Sequence, residues 1–123
     1  MKFRDMFNKT YETSDNNSEE VLKSHYYRAR YEEALKMVRE LVNEEKATIT
    51  DENEVYKEIL FENNSYSCVC KITDTTPVEM AIDFKIETFG FFSFGKGKKI
   101  IANFYKFLDS KLNFKGVGLF KEK

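Results

Sequence analysis

The chain has little of what catalytic, metal-binding and secreted proteins are usually built from. Its 123 residues include two cysteines, one histidine, one proline and no tryptophan. Cys68 and Cys70 stand two apart in a run that reads as a strand. At that separation an extended chain places them about 6.5–7 Å apart, too far and too stiff for a comfortable disulfide. They are read as reduced core side chains, which suits a cytosolic protein. With His25 they make three soft ligands that lack zinc-type spacing, so no metal site is expected. His25 lies between Ser24 and Tyr26 with no partner nearby in the sequence. Nucleophilic catalysis needs a base within reach of an activated Ser or Cys. No catalytic residue is therefore assigned, and neither enzyme activity nor a cofactor is expected.

Other absences narrow the class further. No run approaches the ~20 consecutive apolar residues of a membrane span. Residues 1–7 lack the apolar core of a secretory signal, so a cytoplasmic location is expected. Neither Gly-x-x-x-x-Gly-Lys-Ser/Thr nor Gly-x-Gly-x-x-Gly occurs, and no internal repeat or heptad run is visible. Neither sign of charge dominates: the net charge is −1 with 33% charged residues. The balance is uneven along the chain, however. Residues 96–123 hold eight lysines against Asp109 and Glu122, which is +6 and leaves −7 for the rest. Such polarity favours self-association or an anionic partner for the C-terminal part.

What is present is alternation. From Val78 to Ile86 every even residue is large and apolar, while Glu79, Asp83, Lys85 and Glu87 hold odd positions. A period of two places Val78, Met80, Ile82, Phe84 and Ile86 on one face of a strand. Tyr66, Cys68, Cys70 and Ile72 repeat the pattern, and Asp74-Thr75-Thr76-Pro77 supplies the turn between the two. A sheet with one apolar side needs a cover. Tyr31, Ala34, Leu35, Val38, Leu41 and Val42 form the stripe of a first helix. Ile100, Ile101, Phe104, Tyr105, Leu108 and Leu112 form that of a second, starting near Gly97.

The remaining stretches fill in the order. Residues 1–9 put Phe3, Met6 and Phe7 at helical spacing, read as a short docking helix before a membrane-surface anchor. Residues 12–20 hold no core former and read as a mobile linker. We thus expect an N-terminal segment and linker over residues 1–20 and a single α+β domain over 21–123. Strands are expected over residues 21–29, 47–50 and 55–61, with a turn at 51–53. The first helix has no glycine stop and is expected to fray near residues 43–46. Residues 116–120 are read as a final edge strand or a docking segment. The expected fold is a twisted antiparallel sheet of four to five strands in the order β-α-β-β-β-β-α, with both helices on one face and a solvated opposite face.

One segment stands out as a contact. Phe89, Gly90, Phe91, Phe92, Ser93 and Phe94 precede Gly95-Lys96-Gly97-Lys98-Lys99. Phe89, Gly90, Phe91 and Phe94 match positions of the RNA-recognition signature Lys/Arg-Gly-Phe/Tyr-Gly/Ala-Phe-Val-x-Phe/Tyr. Glu87 and Thr88 stand where Lys/Arg and Gly belong, and the companion motif is missing. The lysines open a helix, where free amides attract anions. So many phenylalanines at a loop are hard to bury, and an uncovered apolar patch marks an interface. Phe91, Phe92, Phe94, Lys96, Lys98 and Lys99 are therefore the candidate partner or anion contacts.

Tyr27, Tyr31, Glu32 and Ala34 (Tyr-x-x-x-Tyr-Glu-x-Ala), Thr76, Pro77 and Glu79 (Thr-Pro-x-Glu) and Lys98-Lys99-Ile100 give the chain a resemblance to a family of small, functionally uncharacterised cytosolic proteins of Gram-positive bacilli. The helix-meander-helix layout is also similar to the domains of the outer-membrane assembly lipoprotein BamC, in architecture alone. Neither likeness implies catalytic residues. The expected function is a non-catalytic protein–protein interaction domain, homo-oligomeric through the aromatic and lysine loop. The alternative is binding of an anionic ligand or RNA by residues 89–99. Nucleic acid and membrane-surface contacts are the less favoured partners.

Overall fold

Alternation in two long strands organises the architecture. The computed structural model describes residues 9–90 and 96–119 of the chain. In order they form β1 (Lys9–Glu12), a 3₁₀ turn (Glu20–Leu22), β2 (His25–Tyr27), α1 (Tyr31–Glu44), β3 (Thr48–Asn53), β4 (Glu58–Glu62), β5 (Tyr66–Thr76), β6 (Glu79–Thr88), α2 (Lys96–Lys111) and β7 (Phe114–Val117). The strands make one seven-stranded antiparallel sheet, ordered β3-β4-β5-β6-β2-β7, with β1 sharing the edge of β6 with β2. The α+β class with two helices is as expected. The strand count and order are not, because β1 and β7 at the two ends of the chain join the sheet.

Register explains the core. Cys68 faces Ile86, Cys70 faces Phe84 and Ile72 faces Ile82, so the even residues of β5 and β6 share one face with Ile59 and Phe61 of β4. Against this face lie Ala34, Leu35, Val38, Leu41 and Val42 of α1. From α2 come Ile101, Phe104, Tyr105 and Leu108. Phe104 meets Phe61, Tyr66 and Phe84 at ring-centroid distances of 5.9, 5.8 and 4.9 Å. Met80, Ile82 and Phe84 are buried, as an alternating strand under a helical lid requires. Both thiols are free and buried, and burial pushes their ionisation up.

Several expectations are corrected. Residues 12–20 are not simply a linker: β1 pairs with β6, Thr13 is buried, and its N–H donates to the Phe84 carbonyl at 2.9 Å. The chain leaves the sheet after Thr13 and re-enters at Ser24. The excursion is closed by hydrogen bonds from Ser14 N to Leu22 O and from Ser24 N to Ser14 O. Polar composition suggested solvent, but hydroxyl side chains satisfy the backbone and each other here. Residues 21–29 are a 3₁₀ turn followed by a three-residue strand. Val78 is 50% exposed, because β5 runs on through Thr76 past an irregularity and the turn falls at Pro77-Val78. Residues 51–53 continue β3, so Val55 occupies the hairpin tip at 85% exposure.

α1 ends without fraying or glycine. Lys46 adopts a left-handed backbone (φ 53°) and Ala47 N–H closes back on the Val42 carbonyl, while the Tyr66 hydroxyl donates to Glu45 at 2.8 Å. The sheet face away from the helices is only partly solvated. Tyr26 and Ala81 are buried there, and Tyr26 donates its hydroxyl to Asp15 at 2.5 Å. No helix among the described residues is long and apolar enough to cross a membrane. The expected N-terminal helix around Phe3, Met6 and Phe7 lies outside the described residues.

Candidate functional site

Of the contacts singled out in the sequence, Phe91, Phe92 and Phe94 lie outside the described residues. What flanks them is clear. Phe89 follows β6 on the odd, outward side of the strand and is 41% exposed. Gly90 takes φ +93°, a backbone that side chains with a Cβ disfavour, which ends the strand sharply. Lys96 and Lys99 are exposed in the first turn of α2. Lys98 instead points to Glu19, with Nζ donating to Oε1 at 2.6 Å. Gly97 is buried because the Tyr11 ring lies on it: a Cβ there would stand 2.0 Å from Tyr11 Cδ2. This glycine serves packing between β1 and α2. The three lysines thus divide: Lys96 and Lys99 face solvent, and Lys98 is engaged within the chain.

The structure gives His25 the partner that the sequence did not reveal. β2 places His25 and Tyr27 on its inward side, opposite Ile82 and Met80. α2 brings Asp109 to meet them. Asp109 Oδ1 lies 3.0 Å from His25 Nδ1 and accepts the Tyr27 hydroxyl at 2.6 Å. An ionised carboxylate only accepts, so the imidazole donates its Nδ1–H. Tyr27 is fully buried, and burial followed by the Asp109 carboxylate raises its ionisation, which keeps the phenol a donor. The His25 ring stacks on Tyr105 (3.6 Å between centroids, 5° between planes) and meets Phe114 at 5.2 Å. Aromatic contacts thus hold its plane, and its edge remains.

His25 also lines an open hollow of about 630 Å³ between α2, the 3₁₀ turn and the end of β7. Val21, Ala102, Tyr105 and Val117 supply apolar lining. His25 is not an ordinary packed histidine: it has a carboxylate partner and a hollow beside it. Nucleophiles are scarce nearby. The Ser110 hydroxyl is turned back to the Phe107 carbonyl (2.7 Å), and both cysteines are in the core. Among the described residues no cluster of three or more His, Cys, Asp or Glu could hold a metal.

Sequence reasoning missed Asp109 and Tyr27. One signal was available: Asp109 is the only acid on α2 and borders its apolar stripe, one residue past Leu108 and four past Tyr105. An acid in that position faces a neighbour as readily as solvent.

A wider groove of about 820 Å³ separates the first turn of α1 from the β5–β6 hairpin. Three of its charged groups are committed locally, Lys57 and Asp74 to each other and Glu33 to the Arg30 N–H. It offers no comparable edge. No protein-family model matches the chain, and no curated protein or solved structure does so either.

Proposed function

We propose that the chain is a non-catalytic interaction domain that self-associates, with its contact surface where β6 leads into α2. Phe89 carries this reading: a large aromatic ring, 41% exposed, stands at the next outward position after Asp83, Lys85 and Glu87. A second copy is the partner that charge favours. The solvent side of α1 presents Glu32, Glu33, Glu40 and Glu44 against Lys36 and Arg39, a net acidic face, while that of α2 presents Lys96, Lys99, Lys106 and Lys111. Opposite faces on one chain suit an isologous pair, in which each copy supplies what the other lacks. A cytoplasmic location and the likeness to small proteins of Gram-positive bacilli belong to the same proposal.

A dilution series followed by light scattering tests it. Wild type is expected to dimerise at high micromolar concentration and to dissociate with added salt. Phe89→Ser is expected to weaken the dimer about tenfold or more, as truncating an interface anchor does. A wild type that stays monomeric throughout would sink the reading. Heat on titration with phosphate-bearing metabolites or RNA, lost when Lys96 and Lys99 become Ala, would favour anion binding by the same segment.

A further inference from the structure

We propose that the cavity beside His25 binds a small, uncharged apolar molecule carrying one hydroxyl group, which hydrogen-bonds to the imidazole Nε2. The inference is independent of self-association, since it concerns a different surface. Three observations carry it. The first is size: about 630 Å³ falls within the range of small-molecule sites, about 300–1,000 Å³.

The second is polarity. Val21, Ala102 and Val117 and the ring of Tyr105 give the hollow an apolar lining, which selects an apolar body. The charged groups that border it are Glu20, Lys106 and Asp109; Asp109 is engaged by His25 and Tyr27, which leaves one acid and one base at the rim. Glu20 is also paired with Lys23 at 3.4 Å. The edge thus confers no strong preference for an ion.

The third is the fixed imidazole. Asp109 takes the Nδ1 side of the ring, so Nε2 is the nitrogen left for a ligand. Nε2 has no hydrogen-bond partner among the described residues. Stacking on Tyr105 holds the ring so that only its edge can meet a ligand. Tyr27, two residues along the same strand, keeps Asp109 in place through the same carboxylate oxygen. Asp109 and Tyr27 are positioning residues here, and His25 is the group that would touch the ligand. A ring nitrogen held in place beside an apolar hollow matches a hydroxyl on an apolar body, as in a simple phenol or alcohol, because a hydroxyl both donates and accepts.

Amide NMR titration of the whole chain with p-cresol, toluene and benzoate separates the alternatives. p-Cresol is expected to shift Val21, Ala102 and Val117 saturably and to bind about tenfold more tightly than toluene, the difference one hydrogen bond makes. His25→Phe keeps a flat ring against Tyr105 and removes the ring nitrogen. There the advantage of p-cresol over toluene is expected to vanish while toluene still binds. Ala102→Leu fills the hollow and is expected to abolish both responses, leaving the rest of the spectrum unchanged. Should His25→Phe fail to fold, the wild-type comparison with Ala102→Leu decides alone. Equal affinity for p-cresol and toluene, tighter binding of benzoate, or no saturable shift at the three residues would each overturn the proposal.

Discussion

Asp83 and Asp109 make the same local arrangement in two surroundings. Each receives two hydrogen bonds on a single oxygen, and each ties an N-terminal segment to a later element. Asp83 Oδ1 accepts from the Thr13 hydroxyl (2.6 Å) and the Ser24 hydroxyl (2.5 Å), at the point where β1 stops and β2 begins along β6. Thr13 is used to capacity, since its oxygen also accepts from Phe84 N–H (3.0 Å) and lies 3.2 Å from the Tyr105 hydroxyl. Asp109 accepts from Tyr27 and His25. The difference lies in the second donor. Both hydroxyls on Asp83 are consumed by the arrangement, although Asp83, Thr13 and Ser24 also border a hollow of about 580 Å³. The imidazole on Asp109 has a second nitrogen left over beside a hollow. Two seams built alike, each beside a hollow, differ in what their donors have left over, and that remainder rather than the hollow sets Asp109 apart.

The sharpest way to break this comparison is to remove each carboxylate. Asp83→Ala leaves the hydroxyls of Thr13 and Ser24, both buried, without their acceptor. We expect a loss of about 2–3 kcal/mol in urea denaturation, as for other buried donors left unpaired. Asp109→Ala strands the Tyr27 hydroxyl, but the Asp109 side chain is 26% exposed and water can enter. Its expected loss is smaller, about 1–2 kcal/mol. Equal losses would mean that the seams do not differ in closure.

How much of this was legible in the sequence follows from the range of the forces involved. The β5–β6 alternation and both helical stripes are local patterns, and Met80, Ile82, Phe84, Leu41 and Phe104 were placed correctly because burial follows periodicity. Strand β1 was not legible. Its four residues, Lys-Thr-Tyr-Glu, hold one apolar side chain, and their pairing depends on a β6 edge more than 70 residues away. Val78 was misplaced because periodicity does not reveal where a hairpin turns. Asp109 and His25 lie 84 residues apart. Only the fold, through β2 and α2, brings an unremarkable strand histidine to a helix acid.

A second test probes the Asp83 side through packing. Gly97→Ala drives a Cβ into the Tyr11 ring and is expected to cost about 1–3 kcal/mol, as overpacking does. In a Tyr11→Ala background the obstacle is gone. The same substitution should then be neutral or stabilising by up to about 1 kcal/mol, because alanine suits a helix better than glycine. Reversal of sign between the two backgrounds is the diagnostic outcome. Additive losses would place the strain elsewhere than the contact between β1 and α2.

The smallest effect expected is in acid. Burial raises the Asp83 carboxyl above its ordinary value of 3.8, with the hydrogen bonds from Ser24 and Thr13 opposing and Asp15 and Glu12 adding to the rise. A carboxyl whose folded-state pKa exceeds its unfolded one binds its proton more readily when folded. In the window between the two, the native state therefore holds more protons, and this group's contribution to stability grows as pH falls. Asp83→Asn keeps an oxygen acceptor and removes the titration. Wild type should gain on Asp83→Asn as urea denaturation is repeated from neutral pH down to about 4, the ordinary aspartate range, since every other titrating group is shared. A constant difference across that range would mean that the seam is wet enough for Asp83 to titrate as it does unfolded, and the contrast with Asp109 would lose its physical basis.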